Sequence, residues 1–79
     1  MGAMVMDFHI RGRVEAKGPA QYAAIAIAIP LDGSARSRTK EGVCRTRAQA
    51  LGRLRELVIQ LGSEIRAEGG SILEVVTDD

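Results

Sequence analysis

The sequence predicts one small α+β domain, in which an antiparallel sheet of three or four strands carries one long helix packed on one face, in the order ββ(β)αβ. Residues 8–29 alternate between apolar and polar or between small and large side chains, as strands do, whereas residues 46–65 repeat apolar residues at intervals of three and four, as a helix does. A chain of 79 residues has room for one domain. Residues 1–4 have the character of a cloning remnant, so we assign the domain to residues 5–79.

The first two strands are predicted to form a hairpin. Residues 8–17 alternate in the manner of a half-buried antiparallel strand, residues 18–21 carry turn residues, and residues 22–29 return as the second strand. We expect the alanine face of this return strand to lie opposite the helix, where it is either simply exposed or receives a partner. The isoleucine face consists of Ile25, Ile27 and Ile29, and the alanine face of Ala24, Ala26 and Ala28.

The second half of the chain contains the helix. Residues 34–40 are polar and basic, which predicts a loop, and residues 41–45 form a short third strand. Thr46 and Gln49 have the spacing of a capping box at a helix start, and Gly69 with Gly70 supplies its end. Residues 72–76 form a last strand, either interior to the sheet or covered by a partner, because both of its faces are apolar. The predicted core stripe of the helix is Leu51, Leu54, Val58, Leu61 and Ile65.

Positive charge is concentrated in the middle of the chain. Residues 34–55 hold seven basic residues and one acid, a net charge of +6, whereas the remainder carries −5. Because helix starts favour acids, a basic start suits a phosphate or a partner's carboxylate, unless Asp32 or Glu41 folds back onto it. A plain solvated surface is the alternative. The candidate anion or nucleic-acid site is Arg36, Arg38, Lys40, Arg45 and Arg47.

A second helical stripe contains small residues and one isoleucine, displaced from the core stripe. Glycine inside a helix is unfavourable by about 1 kcal/mol relative to alanine, and small side chains permit close approach of another backbone. We therefore predict a subunit or partner contact here, with a wider intramolecular face as the alternative. The stripe is Ala48, Gly52, Arg55, Ile59 and Gly62.

The residue types of catalytic and metal sites are scarce. His9 is the only histidine, and Cys44 is the only cysteine, which favours an inert thiol in a reducing compartment. We predict no catalytic residue, no metal and no cofactor. The longest apolar stretch, residues 22–31, is too short to span a bilayer, and no signal peptide is recognisable, so we expect a cytoplasmic protein that does not bind membranes.

Several short motifs resemble the compact domain of HicB-like antitoxins. Residues 22–30 form an aromatic-led strand that ends in proline, Gly42 and Cys44 follow, and a Thr-x-x-Gln-Ala-Leu helix start lies at residues 46–51. This resemblance spans most of residues 8–76. It implies a sheet-and-helix fold and an oligomer that binds a small toxin partner.

The function that the sequence favours is a non-enzymatic interaction domain, homodimeric, that binds a protein partner. Two alternatives remain open. The basic surface of residues 34–55 would serve in non-specific nucleic-acid or phosphate binding. The third alternative is small-ligand binding or catalysis in a pocket formed between subunits.

Overall fold

The computed structural model describes residues 6–31 and 36–78. It confirms an α+β fold with the predicted order of elements. The suggested remnant at residues 1–4 lies outside the described residues. The elements are β1 (Asp7–Gly18), β2 (Gln21–Pro30), β3 (Arg38–Cys44), α1 (Arg47–Ala67) and β4 (Ser71–Asp78).

The four strands form one mixed sheet in the order β3-β2-β1-β4. β2 is antiparallel to β1 and to β3, but β4 is parallel to β1, so the expectation of a purely antiparallel sheet was wrong. The connection explains this. α1 runs back along the sheet from the end of β3 to the level where β3 begins, so β4 starts there and runs in the same direction as β3, which is also the direction of β1. β4 lies at the sheet edge, which excludes the predicted interior position.

The strand boundaries extend beyond those predicted. β3 includes residues 38–40, which the sequence placed in a loop, because these residues pair with residues 26–28 of β2. The tight turn between β1 and β2 holds Ala20 at a φ of 55°, in the left-handed region. The third strand, predicted for residues 41–45, is therefore confirmed in a longer form.

Both ends of α1 are capped as the sequence predicted. Thr46 Oγ1 accepts a hydrogen bond from the backbone N–H of Gln49 at 3.1 Å, and Gln49 Oε1 accepts one from the N–H of Arg45 at 3.3 Å. At the other end, Gly69 has a φ of 87° and donates to the Arg66 carbonyl at 3.0 Å. Gly70 donates to Ile65 at 2.8 Å, which completes a Schellman motif.

The core lies between α1 and the alanine face of β2, so the expectation that this face points away from the helix was wrong. Ala26 pairs with Gly12 of β1, and a Cβ at Gly12 would lie 2.8 Å from Leu54 Cδ1 on α1. Small side chains here allow the helix to approach the sheet closely. The buried core cluster comprises Phe8, Ile10, Ala24, Ala26, Ala28, Ala50, Leu54, Leu57, Leu61 and Ile65.

The predicted core stripe of α1 is correct in its main positions but too narrow. Leu54, Leu61 and Ile65 are buried as expected. Leu57 is also buried, although it was not assigned to the stripe, and Leu51 is only half-buried. The helix thus packs through a broader face than the sequence stripe indicated.

Candidate interaction surfaces

The sheet face opposite α1 is called the open face, because no described element packs on it. The strand register shows which residues lie on the open face. Ile25 pairs with Arg13 of β1 and with Glu41 of β3, and every second residue along each strand lies on the same side of the sheet. The open face consists of Glu41, Thr39 and Val43 on β3, Ala23, Ile25, Ile27 and Ile29 on β2, His9, Arg11, Arg13 and Glu15 on β1, and Glu74, Val76 and Asp78 on β4.

An isoleucine row runs along the centre of the open face. Ile27 and Ile29 are half-buried, and Ile25 is 9% exposed, yet none of the three belongs to the core cluster under α1. Val43, on the neighbouring strand, is 64% exposed. β2 is therefore apolar on both faces, a pattern typical of strands covered on both sides. Within residues 6–31 and 36–78, α1 covers one side, and no element packs on the other.

Charges of opposite sign flank the isoleucine row. Arg11 and Arg13 lie on the β1 side, and Glu41 lies on the β3 side. A hollow of about 220 Å³ runs between the two arginines and the three isoleucines, with Asp78 at its margin. No acid of the described residues lies within ion-pair distance of Arg11.

Glu15 joins two cations on β1. Its carboxylate contacts Arg13 Nε at 2.7 Å and Lys17 Nζ at 2.9 Å. The hydrogen bond from Lys17 is the main cause that lowers the pKa of Glu15 below its ordinary value, and the charge of Arg13 adds to it. The same bond raises the pKa of Lys17. Arg13 is thus held in place, with part of its guanidinium left to contact another group.

The structure divides the five basic residues of the predicted anion site. Arg38 Nη1 donates to Glu68 Oε2 at 2.7 Å, and its Nη2 contacts the other carboxylate oxygen. Lys40 Nζ lies 2.7 Å from Glu64 Oε2. The hydrogen bond from Arg38 lowers the pKa of Glu68 below its ordinary value. Two of the five cations are therefore neutralised by acids of α1 and tie β3 to the helix.

The other three basic residues, Arg36, Arg45 and Arg47, are exposed. No acid lies in the first turn of α1, and Glu41 points to the open face, so it does not fold back onto the helix start. Asp32, the other predicted neutralising acid, lies outside the described residues. The capping bonds already use two of the backbone donors at this end. Anion binding at the helix start stays a prediction.

The predicted partner stripe on α1 also divides. Ala48, Gly52, Arg55 and Ile59 are exposed, and Ile59 is 67% exposed. Gly62 must be removed from this surface, because it is buried, and a Cβ there would lie 3.0 Å from Ile72 Cδ1 of β4. The alternative of a wider intramolecular face thus applies to Gly62.

The two edges of the sheet differ. β3 presents Arg38, Lys40 and Glu41, charges of the kind that discourage pairing with another strand. β4 exposes Leu73 by 59% and Val75 by 47%. The hypothesis that a partner covers the last strand is therefore compatible with the exposed apolar side chains at the β4 edge.

Residues suited to catalysis are dispersed. His9 Nδ1 lies 3.8 Å from Glu74 Oε1 on the open face, whereas Cys44 packs against the core on the helix side. Among the described residues, no three His, Cys, Asp or Glu side chains are grouped to hold a metal ion. A second hollow, of about 230 Å³, lies at the end of α1 beside the Arg38–Glu68 pair. No helix within residues 6–31 and 36–78 is long and apolar enough to cross a membrane.

Sequence reasoning predicted a sheet face opposite the helix but assigned the alanines to it, so the isoleucine row on the open face is the feature that it missed. Its signal was present, since the second strand is apolar on both faces, but the sequence alone did not show which face α1 covers.

Comparison with protein-family models, with curated proteins and with solved structures found no match, so the resemblance to HicB-like antitoxins rests on the short motifs alone.

Proposed function

We propose that this chain is a non-enzymatic protein-interaction domain, and that another polypeptide covers its open face in the functional form of the protein. The single observation that carries the proposal is the isoleucine row of β2 on a sheet face that no described element covers. Domains are built from packed layers, and a sheet whose central strand is apolar on both faces suits a layer on each side. α1 supplies one of these layers.

The homodimer predicted from the sequence is the simplest form of this proposal. A domain of this size with only two aromatic residues, Phe8 and Tyr22, has a small core, and small domains often gain stability from a second subunit. A further protein partner of the antitoxin type is compatible with the exposed Leu73 and Val75 at the β4 edge.

The test compares a substitution on the open face with one on the outer surface of α1. Ile27→Lys places a charge in the isoleucine row, whereas Ile59→Lys places the same charge on the exposed helix. We expect sedimentation analysis to show a wild-type dimer that Ile27→Lys dissociates and Ile59→Lys leaves intact. Circular dichroism checks that both variants are folded.

Other results would assign the contact differently. Dissociation by Ile59→Lys alone would move the interface to the predicted helix stripe. Wild-type protein that stays monomeric up to the solubility limit would contradict the homodimer.

Nucleic-acid or phosphate binding is the second candidate. The observation that favours it is the pair Arg45 and Arg47, exposed on either side of the helix cap, with no acid in the first turn. If they contact phosphates, the Arg45→Ala, Arg47→Ala double variant should bind duplex DNA or RNA more weakly and reduce the salt slope by about 2. Arg66→Ala, at an exposed position of α1 outside residues 34–55, is the matched control. Equal binding by the double variant and the wild type would remove this candidate.

A further inference from the structure

We infer that the polypeptide on the open face is a second copy of this chain, related to the first by a two-fold axis that runs along β2. The inference rests on the proposed function and adds the identity and orientation of the partner.

A two-fold axis along β2 brings oppositely charged residues together. β1 and β3 lie on opposite sides of β2, each about 4.8 Å away, so this rotation places β1 over β3 of the partner. Arg13 and Glu41 both pair with Ile25 and therefore lie at the same height along the strands. Each Arg13 then faces the partner's Glu41, and the symmetry makes this contact twice.

The contact in the next row of residues, the row of Ile27, is also favourable in this orientation. Arg11 and Thr39 both pair with Ile27, so the rotation brings Arg11 over the partner's Thr39, whose hydroxyl accepts hydrogen bonds. The hollow of about 220 Å³ beside Arg11 and Arg13 is then filled by side chains from the partner's β3. The isoleucine rows of the two copies pack along the axis, at the centre of the interface.

Two other two-fold orientations, each centred on Ile27, bring like charges together or bury charge. An axis across the strands places β1 over β1 and Arg11 over the partner's Arg11. Crossing the sheets at a right angle places Arg11, which has no acid of the described residues within ion-pair distance, over the isoleucine row. Like charges that lie close together across an interface weaken binding, and a buried charge without a partner is also unfavourable. The axis along β2 avoids both, and aligned sheets pack with their strands within about 30° of parallel.

The expected interface is small. With the axis along β2, three strands of each copy overlap, because β4 extends beyond the partner's β3. Three strands at about 4.8 Å spacing and four rows about 7 Å apart give roughly 400 Å² for each copy, or about 800 Å² in total. This is below the roughly 1,000 Å² of a stable specific interface, so the dimer is expected to be weak, and association has to be measured up to protein concentrations on the order of 100 µM.

Charge reversal tests the orientation. Arg13→Glu and Glu41→Arg each replace two attractive contacts by two repulsive ones, and we expect each to raise the dimer dissociation constant by about tenfold or more at low salt. An equimolar mixture of the two variants should form a heterodimer close to wild type in affinity. The double variant Arg13→Glu, Glu41→Arg should form a homodimer of similar affinity. Sedimentation and native mass spectrometry measure both, with Arg66→Glu, at an exposed position of α1 outside the predicted sites, as the control.

The neutral variants Arg13→Gln and Glu41→Gln cover the case in which a reversed charge beside Glu15 unfolds the chain. They should weaken association less than the reversals, and mixing them should recover part of the affinity, because the heterodimer regains one of the two Arg13–Glu41 contacts. A dimer that Ile27→Lys dissociates but that neither reversal affects would overturn the orientation and leave the proposed function standing. The same holds if mixing the reversed variants restores nothing. A wild-type monomer at the highest concentration would overturn this inference and the homodimeric form of the proposed function together.

Discussion

The two faces of β2 separate small side chains from large ones, and the helix packs on the small ones. Ala24, Ala26 and Ala28 lie under α1, whereas the three isoleucines point away from it. Burial of a larger apolar side chain contributes more favourable free energy, so a helix is expected to pack on the isoleucine side. The arrangement in this chain shows that one layer, here the helix, can supply most of the side-chain volume of a core.

The helix side is filled by leucines that project from α1. Leu54, Leu57 and Leu61 enter a shallow groove whose floor contains Gly12 and the three alanines. Interiors pack at high density when large residues face small ones, and here the helix carries the large residues. On the open face the sheet carries the large residues, and the opposing layer is the proposed second copy.

The largest effect expected from this comparison is at the centre of the helix side. Leu61 is fully buried, so Leu61→Ala should lower the free energy of unfolding by about 2–5 kcal/mol. Ile27→Ala, measured by urea unfolding at low protein concentration, should lower it by only about 1 kcal/mol, because the side chain is half-covered in the monomer. Equal losses at every concentration would show that the open face is not open in the isolated chain.

A smaller loss is expected where the sheet approaches α1 most closely. In Gly12→Ala the added Cβ would lie 2.8 Å from Leu54 Cδ1, and Leu54 is buried with little room to move. Overpacking of this kind should lower the free energy of unfolding by about 1–3 kcal/mol. The double variant Gly12→Ala, Leu54→Val should lose less than the sum of its two single changes, because the shorter side chain makes room. Strict additivity in chemical denaturation would contradict a direct contact.

The sequence predicted the elements but not their assembly. Capping signals at Thr46 and Gln49 and the glycines at the end of α1 act over a few residues, so local spacing was enough to place them. The parallel pairing of β4 with β1 depends on where the chain lies after α1, which no local pattern specifies. The start of β3 at Arg38 was missed for the same reason, since polar residues become a strand only when an available edge of β2 pairs with them.

The candidate site was predicted less well than the fold. Charge counts along the chain grouped Arg38 and Lys40 with Arg45 and Arg47, but the alternation of β3 turns the first two towards acids of α1. Glu68 and Glu64 lie far along the sequence from these cations, so the pairing was not visible in the local net charge. The open face required both the strand register and the choice of helix side, which only the assembled sheet supplies.

Two glycines of α1 should respond differently to alanine. A Cβ at Gly52 would meet nothing within 4 Å, so Gly52→Ala should raise the free energy of unfolding by about 0.5–1 kcal/mol through helix propensity. In Gly62→Ala the same gain is offset, because Ile72 has to move. Thermal unfolding of both variants provides the comparison. If Gly52→Ala instead weakens dimer formation, the exposed part of the predicted helix stripe is a subunit contact after all.

The smallest effect is expected at the ion pairs that anchor β3 to α1. The hydrogen bond from Arg38 holds the pKa of Glu68 below its ordinary value of 4.5. Because the folded-state pKa is lowered, the pair stabilises the fold above pH 4.5 and its contribution is lost as pH falls through the lowered pKa. The pair is solvent-exposed, so the effect on melting temperature is small.

Glu68→Gln removes this contribution, so the difference in melting temperature between wild type and variant should be greatest near neutral pH and shrink below pH 4.5. Glu15, whose pKa is also lowered, is present in both proteins and cancels in the subtraction. Glu56→Gln is the control, since its partner Arg53 lies on the same helix at 2.8 Å and joins no second element. A difference that does not change with pH would show that Arg38 and Glu68 are not paired. Arg38, on the helix side of the sheet, would then be as available to a partner as Arg11 is on the open face.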